Sequence, residues 1–321
     1  MIRPLRTVLN HLKSAAQPEI NELQSIIERQ LVLLGQHSSR SFGSERLRHI
    51  SDAEFRVFSQ WGEDGILEWL IQRIPISSRR FVEFGVEDYR EANTRFLLVN
   101  RNWRGMIMDG NPALADNIHS RPMGWRYDLT PVSAFIDRDN INSLIRNAGF
   151  SGDVGVLSID IDGNDYWIWE AIDCVNADIV VCEYNAVFGD LQPITIPYRQ
   201  NFFRTTAHYS NLYFGSSIAA LILLAKGKGY EFVGSNRAGS NAFFVRTELF
   251  ERIHPLLEHR SAFPSFCRES RSPDGKLTFL SGFERLKAIE EIPVLNVQTG
   301  IETEIRNAGR LYSAEWLHEM S

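Results

Sequence analysis

Arg80-Phe81-Val82-Glu83-Phe84-Gly85-Val86 is a short, mostly apolar run that closes on a glycine. Its length is that of a strand, and it has too few polar positions to leave one face in water. It therefore predicts a strand buried on both faces. Working forward, a helix over about Glu91 to Asn100 precedes a second run, Gly105 to Gly110 (GMIMDG), which ends in an acid and a glycine. Trp125 to Asp128 (WRYD) reads as a short third strand. Val154 to Gly163 (VGVLSIDIDG) is a fourth, followed by a helix over Tyr166 to Ile172, and Asp178 to Asn185 (DIVVCEYN) is a fifth. After a polar loop, Ser216 to Lys228 reads as a helix. Tyr230 to Gly234 and Asn241 to Val245 flank the turn-rich SNRAGS as a final antiparallel hairpin. Strands alternating with helices give an α/β fold: a Rossmann-like, doubly wound, mostly parallel sheet.

Backward from the first strand, Ile66, Leu67, Leu70, Ile71 and Ile74 form one apolar face of a helix that begins near Glu63 and stops at Pro75. Before it, Ile20, Leu23, Ile27 and Leu34 recur at nearly heptad spacing, with Pro18 near the start and Gly35 at the end. That helix packs on its own domain, dimerises, or covers the site as a lid. The organisation expected is a helical extension over 1–54, a cofactor-binding domain over 55–250, and an appendage over 251–321 packed on the same domain.

With 44% hydrophobic and 23% charged residues, the chain is composed as an ordinary globular protein. A net charge of −6 gives no electrostatic case for nucleic acid. The apolar run Ile218 to Ala225 is too short to span a bilayer, and MIRPLRTVLNHLK lacks the apolar core of a leader. Three cysteines without a CxxC pair point to a reducing, cytoplasmic setting.

Ligands of an open parallel sheet bind beyond the carboxyl ends of its strands. There the chain sets Glu83 and Gly85, Asp109 and Gly110, Asp128, Asp160 and Asp162, then Glu183 and Asn185. Carboxylates at buried strand ends are costly unless paired, hydrogen-bonded or bound to a cation, so five such ends in a row mark a site. VEFGVED lacks GxGxxG, which counts against NAD and FAD. An adenosyl cofactor without that phosphate cradle needs an acid for its ribose hydroxyls, and Asp109, 24 residues beyond Gly85, is placed for it.

Asp160 and Asp162 alternate about Ile161 and so share a side, as do Glu183 and Asn185, with Asp165 just beyond. Such hard oxygen ligands suit Mg2+, Mn2+ or Ca2+. The simpler reading is that they cap helices and hold cofactor or substrate without a metal. Gln60 lies in SQWGEDG before the first strand, a segment that either caps a helix through Ser59 or folds over the cofactor. His208, in TTAHYSNLYFGSS, is a general-base candidate, although a loop histidine is more often solvated.

Taken in order, SQWGEDGIL, FVEFGVED, MDGNP, SIDIDGNDYWIWEAI, VVCEYN and YFGSSIAALILLAKGKGYEFVGSNRAGSNAFFV resemble the class I S-adenosylmethionine-dependent methyltransferases over about residues 58–246. They look closest to the FkbM-like and macrocin-type O-methyltransferases of bacterial polysaccharide clusters. The resemblance implies a seven-stranded sheet with one antiparallel strand. It implies cofactor contacts at Glu83, Gly85 and Asp128, a ribose contact at Asp109, and Mg2+ at Asp160 or Asp162 with Glu183. Here the first loop is VEFGVED rather than glycine-rich, and the fifth strand ends in Glu-Tyr-Asn rather than paired aspartates. The activity implied is O-methyl transfer to a sugar hydroxyl of a small-molecule or glycan substrate, with Asp160, Asp162 or His208 as base and a homo-oligomer as a possible assembly. The alternatives are an NAD-dependent nucleotide-sugar oxidoreductase and a non-catalytic Rossmann-fold partner protein.

Overall fold

The computed structural model describes residues 3–320, with side chains from Ile20 onward except Asn21. The expectation of no leader, read on Met1 to Lys13, falls outside the residues whose side chains are described. Among the described residues ten strands alternate with helices: β1 (Arg80–Phe84), β2 (Arg104–Asp109), β3 (Leu129–Ser133), β4 (Gly152–Ile159), β5 (Val175–Glu183), β6 (Ile194–Thr195), β7 (Tyr230–Ser235), β8 (Asn241–Arg246), β9 (Pro293–Asn296) and β10 (Ile301–Glu304). The helices are α1 (Arg3–Arg40), α2 (Glu63–Ile71), α3 (Arg95–Arg101), α4 (Leu114–His119), α5 (Met123–Arg126), α6 (Ile141–Asn147), α7 (Asp165–Ala171), α8 (Arg204–Ala207), α9 (Ile218–Gly227), α10 (Thr247–Phe250), α11 (Phe283–Lys287) and α12 (Ala314–Met320).

Seven strands form one sheet in the order β3-β2-β1-β4-β5-β8-β7. β1 pairs in parallel with β2 and β4, β2 with β3, and β4 with β5. β8 runs antiparallel to both β5 and β7, so it is the reversed strand, set one place in from the edge. The α/β class, the mostly parallel sheet and its closing hairpin are as expected.

Strand alternation sends side chains to two cores. Phe81, Ile107, Val181 and Phe243 pack with Ile66, Leu67 and Trp69 of α2, Leu97 and Leu98 of α3, and Leu114 and Ile118 of α4. Val82, Phe84, Met106, Met108 and Phe244 face the other way, onto Ile141 and Ile145 of α6, Ile168 and Trp169 of α7, and Ile218 and Leu221 of α9. That second core continues into the C-terminal residues Ile289, Val294, Ile305, Tyr312 and Trp316. β6, β9 and β10 form a separate small sheet that ties this segment to the loop after β5.

Three expected placements shift. The third strand is Leu129–Ser133, and Trp125 and Arg126 belong instead to the short helix α5. Asp128 thus precedes β3. Its carbonyl accepts from Gly105 N at the amino end of β2, and its carboxylate faces Arg104 at 3.5 Å. It stands at the opposite end of the sheet from a ligand site. α1 runs through Pro18 and Gly35 instead of being bounded by them. The N-cap position of helix α2 is Gly62, with φ at 120°, while the Ser59 hydroxyl accepts from Asp64 N in the first turn, the capping bond expected of it.

Among the described residues no helix is long and apolar enough to cross a membrane.

Candidate functional site

The loop after β1 is shaped by two residues. Gly85 has φ of 74°, and a Cβ there would lie 1.5 Å from the backbone oxygen of Asp160, so only glycine lets the ends of β1 and β4 meet this closely. Glu83 is buried, and its oxygens are fully engaged. Oε1 accepts from Asn93 N, and Oε2 accepts from Thr94 N and Oγ1, fixing the start of α3. Burial pushes its carboxyl up to about 7, against the hydrogen bonds from Thr94 and Asn93. Glu83, expected to touch a cofactor, also organises the loop after β1.

Asp109, at the carboxyl end of β2, keeps the place expected for it. Its Oδ2 accepts from Glu87 N at 2.8 Å and its Oδ1 from Asn111 N at 2.7 Å. Two backbone donors hold the carboxylate fixed, and each oxygen retains a lone pair for an incoming hydroxyl. Beside it Gly110 is open, the nearest atom to a built Cβ being a carbon of the Phe135 ring at 3.9 Å. Phe135 follows β3 and is 40% exposed. It meets Phe203, 54% exposed, with ring centroids 5.4 Å apart. A fixed acid beside exposed aromatic rings fits a ribose with its base stacked. This aromatic pair carries no sequence signal, because only the folded loop brings residues so far apart into contact.

Three carboxylates converge at the ends of β4 and β5. Oxygens of Asp160, Asp165 and Glu183 all lie within 4.8 Å of one another. Asp162 had been expected among them. β4 ends at Ile159 and Asp162 takes a left-handed φ of 56°, which turns it out to an ion pair with Arg204 at 2.7 Å. Asp165 comes in instead, its oxygens accepting from Ile161 N and Gly163 N. Asn185, the other expected oxygen, accepts from Val187 N and donates to the carbonyls of Leu212 and Phe214. It holds loops together.

Burial, then the charges of Asp160, Asp162 and Asp165, push the Glu183 carboxyl well above the carboxylate range. Burial also comes first for Asp160, a half-buried residue with an enclosed carboxyl, followed by Asp162 and Asp165. Asp165 is pushed up to about 6, chiefly by burial. Arg204 is the nearby cation. Burial pulls its guanidinium down, but Glu183 and Asp162 outweigh that and its pKa is raised. Glu183 Oε2 is buried with no hydrogen-bond partner. An orphaned carboxylate oxygen facing two more carboxylates has the donor set of a hard divalent cation, so these residues fit Mg2+.

Gln60 is exposed just before α2. The segment around it is shaped by Asp64, whose Oδ2 accepts from the backbone of Val57, Phe58 and Ser59. His208 lies four residues from Arg204 and its Nδ1 meets Ser210 Oγ at 2.7 Å. Burial lowers its pKa, which keeps the ring neutral and able to accept a proton. Arg204 went unnoticed beside His208. The signal that could have found it is a loop with two arginines, Arg199 and Arg204, facing an excess of acids.

No protein family profile matches the chain, and no curated protein does. Among solved structures it is similar to an O-methyltransferase family protein from Burkholderia thailandensis, at 12% identity over 58% of each chain with a TM-score of 0.35. It is similar to the pyocyanin biosynthetic protein PhzM at 11% identity, covering 56% of this chain and 54% of that one, TM-score 0.32. A third is TehB from Haemophilus influenzae, at 12% identity, 53% and 58% coverage and TM-score 0.31. The chain thus spans a little over half the length of the solved structures it matches, and likeness of this extent does not carry their activities over to it.

Proposed function

We propose that this chain is an S-adenosylmethionine-dependent O-methyltransferase acting on a hydroxyl of a small molecule. In our reading the acceptor is a sugar in cell-surface polysaccharide or glycan synthesis. The observation that carries the reading is Asp109: a carboxylate fixed by two backbone donors, beside open Gly110 and exposed Phe135, at the carboxyl edge of the sheet. A ribose diol would donate to Asp109, and Phe135 with Phe203 would flank the base. The loop after β1 lacks GxGxxG, which speaks against a dinucleotide.

The bound cofactor would supply a methyl carbon made electrophilic by its sulfonium. The work left to the chain is to align the acceptor and take its proton. Asp160, with a raised pKa at the end of β4, is the base we favour. His208, with a lowered one, is the second candidate, and Asp162 is engaged with Arg204. If Asp160, Asp165 and Glu183 hold Mg2+, Asp160 is a ligand and His208 takes the part of the base. A cytoplasmic setting belongs to the proposal, on the unpaired Cys174, Cys182 and Cys267.

Calorimetric titration with S-adenosylhomocysteine tests this. We expect micromolar binding, and Asp109→Ala should weaken it about 10- to 100-fold, the loss of charge-assisted hydrogen bonds. No binding to the wild-type chain would sink the proposal.

A further inference from the structure

Beyond β5 lies a cavity of about 240 Å³ whose wall includes Val187, Phe266, Leu280, Arg285, Tyr312 and Met320. Val187 is four residues past Glu183, so the cavity adjoins the carboxylate cluster along the chain. Tyr312 Oη donates to the Val187 carbonyl at 2.7 Å and anchors that wall to the C-terminal segment.

Arg285 is the unexplained group in this cavity. It is only 8% exposed. Its Nη1 donates to the Cys267 carbonyl, while its Nε is buried with no acceptor. Among the described residues no carboxylate stands within ion-pair distance of it. The acids of the neighbourhood are taken: Glu269 faces Arg271 at 3.2 Å and Arg204 at 4.0 Å, and Glu319 faces Arg237 at 3.1 Å. A buried guanidinium without a counter-charge is costly, and an acidic chain has carboxylates to spare for it. The wall also carries Arg268 and Glu319, the latter paired with Arg237, and Val187, Phe266, Leu280 and Met320 supply apolar surface for the carbon face of a small ring.

We infer that this cavity seats the acceptor and that Arg285 binds an oxyanion on it, so that the substrate is an acidic sugar bearing a phosphate or a carboxylate. The planar fork of arginine suits either oxyanion through two parallel hydrogen bonds. The inference rests on the methyl-transfer reading only in calling the occupant an acceptor.

The test is calorimetric titration of the full chain, without cofactor, with glucose 1-phosphate, glucuronate and glucose. At least one of the two anions should bind at least tenfold more tightly than glucose, and which one does so separates phosphate from carboxylate. Arg285→Met should weaken that binding at least tenfold while the melting temperature holds or rises, because an apolar side chain removes a buried charge. Glucose binding as well as both anions, no binding by any of the three, or wild-type affinity in Arg285→Met would overturn the inference. Should that variant not fold, Arg285→Lys decides. It keeps the charge and loses the fork, so about tenfold weaker binding supports the inference and unchanged affinity overturns it. Homocysteine-cofactor binding is measured separately. Sugar-anion binding without it retires methyl transfer alone, and the reverse retires this inference alone.

Discussion

Glu183 shows what a single residue can report. It is 9% exposed, one oxygen has no partner, and its neighbours Asp160 and Asp165 are also acids. With no cation, such a group destabilises the fold or keeps its proton. Glu183→Gln removes one like charge, so at pH 8 in EDTA the variant should melt above the wild type by a few degrees, about 1 kcal/mol or more. Millimolar Mg2+ should raise the wild type and leave the variant unmoved. Equal responses of both proteins to Mg2+ would remove the cation from the site. Asp160 and Glu183 were legible as strand ends. Asp165 was legible only as a further oxygen just beyond the strand, ranked behind Asp162, because the two-residue alternation that groups Asp160 with Asp162 holds only while the strand continues. The strand stops at Ile159, and a left-handed residue at 162 hands the position to Asp165.

Among the elements, those with a strong period were legible and those without one were not. β1, β2, β4, β5, α2 and α9 stand out as apolar runs or stripes. β3 carries Pro131 and Thr130 and lies at the sheet edge, where a missing backbone donor is tolerated and an apolar run is not required. Its pattern is weaker than that of the neighbouring WRYD, and the true strand start leaves Asp128 at the amino end of the sheet. In α1 the heptad spacing was legible, but not which residues would be covered. Leu31 and Val32 pack against Val57, Phe58 and Phe96, and Glu28 pairs with Arg95 at 3.0 Å. Leu23, Ile27 and Leu34 remain 59%, 56% and 63% exposed. A stripe of that kind on a helix already docked by its other side favours pairing with a second copy over closing as a lid. The wild-type chain should sediment as a dimer at micromolar concentration. Leu23→Ser with Ile27→Ser and Leu34→Ser should sediment as a monomer with unchanged circular dichroism. A monomeric wild type would end the dimer reading.

Over the whole molecule the raised carboxyls set an unusual response to pH. Burial lifts Glu54 and Glu83 from 4.5 to about 7, and Asp64 from 3.8 to about 6. A carboxyl with a folded pKa above its unfolded one binds its proton more tightly when folded. Its stabilising protonation is complete below the unfolded value and is lost as pH rises to the folded one. His49 and His208, lowered by burial, act in the opposite sense. Their neutral rings favour the fold above the ordinary 6.5, and that gain is lost as pH falls through their folded values. Three carboxyls outweigh two partly exposed imidazoles, and the Asp160 cluster adds to the carboxyl side when no cation is bound. In EDTA the melting temperature should therefore be higher at pH 5 than at pH 8, by roughly 5 °C. Glu54→Gln, which still accepts from Arg237 N through an amide oxygen, should flatten part of the slope. A melting temperature that rises from pH 5 to pH 8 in both proteins would mean that these carboxyls are ionised in the fold. Their burial cost would then be met by partners other than the hydrogen bonds described.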